Sequence, residues 1–256
     1  MKKEANFTPA AGQAISLIDA WVTDQDGWSI FDAIDDQHKV YLCDGGATDF
    51  YLYVDDVQNN YSKLYLWEGW NNETHEGTGN NTSVMFLVKK AGIYRCIGNS
   101  TYISIYHAPS TTYNWGFYAG YLTPIIATDT KCIILVADVS DNPSNTIFMR
   151  HDYSNGYFLF PFSGGLPVQS HLFHASITPN FSNTINNQGL CLFRIYAGEV
   201  PSNKKSRGTF QDIFGCGTYR PSGFEVNDTA YIGETAFVLK LAYVSGISSY
   251  YFIKNN

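Results

Sequence analysis

Residues 27–56 read GWSIFDAIDDQHKVYLCDGGATDFYLYVDD and decide the fold class. Three short runs rich in aromatic and aliphatic residues, Trp28–Ile34, Val40–Cys43 and Phe50–Val54, are separated by Asp35-Asp36 and by Asp44-Gly45-Gly46. Asp and Gly favour tight turns, whereas aromatic and β-branched residues favour strands. This stretch therefore predicts three short strands joined by turns.

The same pattern continues along the chain. Further runs of this kind are Leu64–Trp67, Val84–Val88, Ile93–Cys96, Tyr102–Tyr106, Trp115–Leu122, Cys132–Ala137, Thr146–Met149, Tyr157–Phe160, His171–Ile177, Leu190–Tyr196, Phe210–Cys216, Thr229–Ile232, Ala236–Tyr243 and Tyr250–Ile253. Many short strands without helices between them indicate a sandwich or barrel of antiparallel sheet, and we expect a mainly β protein with a β-sandwich. A parallel α/β fold is excluded because parallel strands need long, usually helical, crossovers.

One segment departs from the strand pattern. Between Gln13 and Val22 the apolar residues recur at helical spacing, and Asp24, Asp26 and Gly27 end that pattern. We expect a helical N-terminal segment over residues 1–26 and a β-sandwich domain over residues 27–256. Residues 161–167 contain two prolines and two glycines and could divide this domain into two β lobes. One continuous sandwich is an equal alternative, because apolar runs continue on both sides.

The composition is poor in charge and rich in aromatic residues. Of the 256 residues 15% are charged and 16% are aromatic, and the formal net charge is −7. Without a basic run, the chain lacks the charge that neutralises nucleic-acid phosphates, so nucleic acid is not an expected partner. No stretch approaches the roughly 20 apolar residues of a membrane span, and residues 1–12 contain no signal-peptide core.

The cysteines point to a reducing compartment. The five lie far apart, in or beside apolar runs, and form no CxxC pair; they are Cys43, Cys96, Cys132, Cys191 and Cys216. This arrangement predicts buried free thiols rather than disulfides.

The histidines form no recognisable metal or catalytic motif. His171 and His174 are three residues apart in a strand-like run, where that spacing directs side chains to opposite faces. Thr74-His75-Glu76 lies in a loop rich in Asn and Gly, and we interpret it as a surface turn. Neither arrangement supplies the paired ligands of a zinc site or the geometry of an acid–base pair.

The acidic residues give no clear site either. The doublets Asp35-Asp36 and Asp55-Asp56 are interpreted as solvated loop carboxylates. An oxygen-rich cluster, Asp138, Asp141, Asn142 and Asn145, is interrupted by Pro143 and lacks the glycine and final Glu of an EF-hand loop. The sequence therefore predicts no catalytic residue, no metal site and no cofactor.

Four aromatic residues are the candidate contact residues. Trp67, Trp70, Tyr113 and Trp115 lie at the ends of predicted strands, among Asn, Gly and Thr. Such side chains could anchor a protein contact or stack on a sugar, because they present an apolar ring beside a polar group. They could equally be core residues at the edge of a sheet, and the sequence leaves both interpretations open.

Several segments together resemble a family of tail-associated structural proteins from tailed-phage virions, including crAss-like phages of Bacteroidetes hosts. In chain order the segments are GWSIFD at 27–32, DFYLYV at 49–54, LWEGW at 66–70 with THEGTG at 74–79, FYAGYLTP at 117–124, RGTFQDIF at 207–214 and DTAYIG at 228–233. Asp212 stands where the family often has glycine, and residues 138–151 match nothing in it.

The resemblance implies a structural component of a virion, located in the tail or the neck-to-tail assembly and assembled in the bacterial cytoplasm. Its partners would be other virion proteins and further copies of itself, and the family supplies no catalytic residues. An alternative is a host-adsorption module that binds surface glycan through Trp70, Tyr113 and Trp115. A glycan-cleaving enzyme using Asp55, Asp56 or Glu73 is less favoured, since such enzymes commonly have long repetitive β-helices.

Overall fold

The computed structural model describes twelve stretches of the chain, which are residues 2–59, 61–81, 85–88, 91–107, 116–128, 132–137, 147–148, 156–159, 192–199, 206–217, 223–244 and 247–255. Within them lie one helix, α1 (Gln13–Val22), and nineteen strands. The strands are β1 (Lys2–Phe7), β2 (Trp28–Ala33), β3 (His38–Cys43), β4 (Phe50–Asp55), β5 (Tyr61–Asn71), β6 (Glu76–Asn81), β7 (Met85–Val88), β8 (Gly92–Asn99), β9 (Tyr102–His107), β10 (Gly116–Tyr121), β11 (Thr123–Pro124), β12 (Ile133–Ala137), β13 (Ile147–Phe148), β14 (Gly156–Leu159), β15 (Phe193–Glu199), β16 (Ser206–Gly217), β17 (Thr229–Ile232), β18 (Thr235–Val244) and β19 (Ile247–Lys254).

The strands form three sheets. The N-terminal sheet has the order β2-β3-β4-β5-β6, with β7 also pairing with β5. The central sheet has the order β1-β8-β9-β10-β12-β13, and the C-terminal sheet has the order β14-β15-β16-β19-β18-β17, with β11 on β16. Each strand pair within the described stretches is antiparallel. The predicted mainly β, antiparallel, sandwich-like architecture with one short helix is confirmed.

The central sheet is covered on both faces. Every residue of β9 and β10 is buried. Tyr121 packs toward Phe50 of the N-terminal sheet, with ring centroids 6.1 Å apart, and Tyr118 meets Phe210 of the C-terminal sheet edge-on at 5.0 Å. Side chains three residues apart in a strand point to opposite faces, so these contacts place one neighbouring sheet on each side.

Helix α1 docks through its apolar side. Six of its residues are buried: Ala14, Ile15, Leu17, Ile18, Trp21 and Val22. Its first turn lacks a capping side chain of its own, because Gly12 occupies the N-cap position. Asp56 replaces that cap from a distant loop, since its Oδ2 accepts the backbone N–H groups of Ala14 (2.9 Å) and Ile15 (3.3 Å). The interpretation of Asp56 as a solvated loop carboxylate is wrong, because Asp56 is 0% exposed.

The N-terminal segment also contributes a strand. β1 pairs with β8 in the register Lys2↔Ile97 to Phe7↔Gly92, and the sequence pattern did not predict this strand. Its sequence, KKEANF, is mostly polar, and only Phe7 is buried. The pairing and the Phe7–Tyr94 ring stack at 4.3 Å hold this strand in place. Residues 161–167, proposed as a sub-boundary, lie outside the described stretches.

The structure describes the side chains of three of the five cysteines. Cys43, Cys96 and Cys132 are free and buried, as predicted. Burial raises the pKa of the Cys43 thiol to about 12. The side chains of Cys191 and Cys216 are not among those described.

Alkaline pH is expected to destabilise the protein through its buried tyrosines. Burial raises the pKa of Tyr41, Tyr102 and Tyr118 well above the ordinary value of 10.0. The stability that these neutral, buried tyrosines contribute is fully present below pH 10. It is lost as the pH rises above 10, because the unfolded chain then releases phenolic protons that the folded chain retains. Above pH 10 each tyrosine should lower the free energy of unfolding by an amount that approaches about 1.4 kcal/mol per pH unit.

Urea unfolding at pH 8, 10 and 11 measures this effect. Tyr118→Phe should reduce the loss between pH 10 and pH 11 by about 1 kcal/mol, because this phenol is already half ionised in the unfolded chain at pH 10. Equal free energies of unfolding at pH 8 and pH 11 would contradict the expectation.

Candidate functional site

The outer face of the N-terminal sheet is a surface of aromatic side chains. In β4 and β5 the residues facing the core are buried, whereas Tyr51, Tyr53, Tyr65 and Trp67 are half-buried on the other face. The register places Tyr51 opposite Trp67 and Tyr53 opposite Tyr65. Aromatic pairs directly opposite each other stabilise antiparallel strands by about 0.2–1 kcal/mol each.

The β5–β6 hairpin reaches across this face to the edge strand β2. A register shift between Trp67 and Gly69 bends the hairpin. Trp70 then donates its indole N–H to Asp32 Oδ2 at 2.8 Å. His75 Nδ1 lies 2.8 Å from the same oxygen and acts as the donor, since a carboxylate only accepts. The Asp32 side chain is 7% exposed, so both contacts tie the hairpin to a nearly buried carboxylate.

His75 lies in the turn predicted from the sequence, but its side chain is not free. Its backbone φ is 56°, a left-handed conformation that is uncommon for residues other than glycine. The ring is about half exposed, at 48%. The contact with Asp32, 43 residues away, was not predictable from the adjacent Thr74 and Glu76.

The two candidate tryptophans that the structure describes have different surroundings. The Trp70 ring packs on Tyr53 with centroids 5.3 Å apart and an interplanar angle of 32°. Trp67 lies over Gly77, where an added Cβ would be 2.0 Å from its ring. The indole N–H of Trp67 is buried and has no hydrogen-bond partner among the described residues. Both side chains are half-buried and held by contacts within the chain, and their predicted role in a protein or glycan contact stays a prediction.

Several other candidates lie outside the described stretches. They are Tyr113, Trp115, His171, His174, Asp138, Asp141, Asn142 and Asn145. Their predicted roles therefore remain predictions.

The acids suggested for glycan cleavage have dissimilar environments. Asp56 is enclosed at the N-terminus of α1, where Ser62 also donates to its other oxygen. Asp55 Oδ1 lies 3.9 Å from His38 Nε2, and Glu73 is exposed in the β5–β6 turn. The described stretches contain no group of three metal-ligating side chains.

His38 joins two acidic residues on the same sheet. Its Nδ1 lies 2.8 Å from Asp35 Oδ2. The hydrogen bond from His38 is the main reason that the pKa of Asp35 lies below its ordinary value. Asp35 also accepts the backbone N–H groups of Gln37 and His38, so it closes the β2–β3 turn. This doublet is thus a turn element, and Asp35 and Asp36 are exposed as predicted.

A second cluster, missed by the sequence analysis, joins the central and C-terminal sheets. The Tyr102 hydroxyl donates to Asp212 Oδ2 at 2.6 Å, and Lys254 Nζ lies 3.6 Å from Asp212 Oδ1. The neighbouring Gln211 accepts from Asn99 Nδ2 at 2.8 Å and donates to the Tyr121 carbonyl at 2.9 Å. The signal available in the sequence was the aspartate at position 212, where the resembled family often has glycine. The structure gives Asp212 a φ of 57°, a conformation that glycine adopts more easily.

Replacing Asp212 with glycine is expected to destabilise the protein by about 1 kcal/mol. Glycine relieves about 1 kcal/mol of left-handed backbone cost. The buried Tyr102 hydroxyl then loses its acceptor, which costs about 1–3 kcal/mol. Asp212→Asn, which keeps an acceptor and tolerates this φ, should lose less. A chemical-unfolding midpoint that rises in Asp212→Gly would contradict the assigned role.

Replacing Asp32 with alanine is expected to loosen the β5–β6 hairpin. Two donors lose their shared acceptor, so the free energy of unfolding should fall by about 2–3 kcal/mol. Amide hydrogen exchange over residues 72–76 should accelerate more than in α1. Asp49→Ala is a matched control, because Asp49 is an exposed aspartate of the same sheet region. Equal exchange in Asp32→Ala and Asp49→Ala would show that Asp32 does not hold the hairpin.

Comparison with known proteins gives no family. No protein-family model matches the chain, and no curated protein matches it. Among the described residues, no helix is long and apolar enough to cross a membrane.

Proposed function

We propose that this chain is a structural subunit of a tailed-phage virion, built into the tail or the neck-to-tail assembly and acting through protein–protein contacts. The observation that carries the proposal is that the family-like segments contact one another across the fold. Phe50 packs edge-on against Trp28 at 5.5 Å, joining the segments at 49–54 and 27–32. Trp70 and His75 bind Asp32, joining the segment at 66–79 to the segment at 27–32.

The later family-like segments also meet. Thr123 pairs with Thr209 between β11 and β16, and Tyr118 packs on Phe210. Gly208 of the RGTFQDIF segment lies where an added Cβ would be 2.6 Å from Leu122 Cβ. Tyr121 also packs toward Phe50, so direct contacts link all the similar segments except the one at 228–233. This supports a common architecture rather than scattered strand-like matches.

The surface composition supports a role in assembly. Subunits repeated around a symmetric particle bury large areas, and interface cores are depleted in charge and enriched in aromatic residues. This chain combines 15% charged residues with exposed large apolar side chains, including Tyr231 at 72% and Ile126 at 65% exposure. No enzymatic step is assigned to it.

Mass spectrometry of purified particles tests the proposal. Virions of the phage that encodes the chain are banded on a density gradient, and this chain is quantified against the major capsid protein. The proposal expects a fixed copy number per particle that survives a high-salt wash. Absence of the chain from banded particles would overturn it.

A further inference from the structure

The outer edge of β1 pairs with no other strand among the residues that the structure describes. β1 is the terminal strand of the central sheet and pairs only with β8 in the described stretches. In an antiparallel pair, alternate residues direct their N–H and C=O groups to the partner and the others direct them away. Alternate residues of Lys2–Phe7 therefore present a row of main-chain donors and acceptors that no described residue satisfies.

A groove runs along this edge, between β1 and helix α1. It encloses about 280 Å³. One wall is the continuous stretch Lys3–Phe7, and the other is the side of the helix that carries Gln13, Ser16, Leu17 and Ala20. Ser16 and Ala20 are exposed, so the groove opens to the solvent.

Gln13, which lines the groove, carries a hydrogen-bond acceptor without a partner among the described residues. Gln13 Oε1 is buried and has no hydrogen-bond partner among the described residues, although its Nε2 donates to Thr8 at 3.3 Å. Leaving a buried acceptor unpaired is unfavourable. Because Gln13 lines the groove, a ligand that brings a donor there would satisfy this oxygen once the side chain turns toward the groove.

The charged groups of the groove are already neutralised within the chain. Lys3 Nζ binds Asp24 at 2.6 Å, and Glu4 is paired with Arg95. A ligand in the groove would therefore make main-chain hydrogen bonds and apolar contacts, and it would need no net charge. These properties match an extended, uncharged polypeptide segment.

We propose that the groove between β1 and α1 binds an extended, uncharged segment of a partner protein as an additional strand of the central sheet. The segment's backbone pairs with the outer edge of Lys3–Phe7, and one of its donors binds Gln13 Oε1. This is strand addition, in which main-chain hydrogen bonds supply affinity and the groove walls select side chains. The proposal does not depend on the phage assignment.

The test uses the acetylated, amidated hexapeptide of alternating threonine and valine as the probe. It is titrated into the isotopically labelled full chain, and amide shifts are recorded by NMR. Saturable shifts are expected at Lys3–Phe7 and at the Gln13 side-chain amide. The same peptide N-methylated at every residue should bind at least tenfold more weakly, because it has lost its backbone donors.

Protein variants locate the site. Ala20→Trp fills the groove from an exposed helix position and should weaken binding at least tenfold, whereas Ser29→Trp, at an exposed position on the edge strand β2, should not change it. The proposal is overturned if the unmodified peptide gives no shifts, if both peptides bind equally, or if Ala20→Trp binds normally. Concentration-dependent shifts at Lys3–Phe7 without peptide, together with dimers in sedimentation, would instead assign the edge to a second copy.

Discussion

Replacing Trp21 with alanine is expected to lower the free energy of unfolding by about 3–5 kcal/mol, as large-to-small changes of buried tryptophan do. Trp21 is 0% exposed and contacts Trp28 of the N-terminal sheet edge-on at 5.7 Å. Its ring also lies against Gly98 of the central sheet, where an added Cβ would be 2.7 Å from Trp21 Cζ2. One side chain thus joins α1 to two sheets, and its removal leaves a cavity at their meeting point.

Urea unfolding followed by circular dichroism measures the change. Trp21→Phe keeps an aromatic ring, so its loss in free energy of unfolding should be less than half that of Trp21→Ala. Ser16→Ala, at an exposed position on the same helix, should change little. A loss below about 1.5 kcal/mol in Trp21→Ala would mean that the surrounding side chains collapse into the space.

Replacing Asp56 with alanine is expected to cost about 3 kcal/mol, because hydrogen bonds to a charged group contribute about 1.5–3 kcal/mol each but are not additive. The change leaves the N–H groups of Ala14 and Ile15 without their acceptor, and removes negative charge from the N-terminus of α1. Ser62 also loses the buried carboxylate to which it donates.

Two variants make this result specific. Asp56→Asn retains an oxygen acceptor without the charge. Its loss in free energy of unfolding should be roughly half that of Asp56→Ala, because the amide oxygen still caps the helix. Asp36→Ala removes an exposed aspartate from the other doublet and should be neutral within about 0.5 kcal/mol. A neutral Asp56→Ala would show that α1 does not need its cap.

Local patterns predicted much of the fold. The predicted helix Gln13–Val22 has the same bounds in the structure, because six apolar residues at helical spacing are buried on one side. Strands such as β4 alternate buried and half-buried residues and were found from the sequence. β1 and β6 were missed because KKEANF and EGTGNN carry few apolar residues, and their pairing partners, rather than their own propensities, make them strands.

The candidate site was less predictable, since its contacts join distant residues. Trp70 was identified as an aromatic of interest, but its partner Asp32 is 38 residues earlier. Asp56 looked like half of a solvated doublet, and its burial depends on where α1 docks. The partition of the strands into three sheets follows from such long-range contacts, which no local pattern contains.

The pairing of β1 with β8 has a consequence for synthesis of the protein. Residue 2 pairs with residue 97, so β1 lacks this partner until the whole stretch of chain from β1 to β8 has been made. Helix α1 and the N-terminal sheet can form earlier from neighbouring segments, whereas closure of the central sheet waits. Long-range pairing of this kind slows folding and exposes unpaired strand edges in the meantime. The emerging chain is therefore most vulnerable to misassociation before β8 leaves the ribosome.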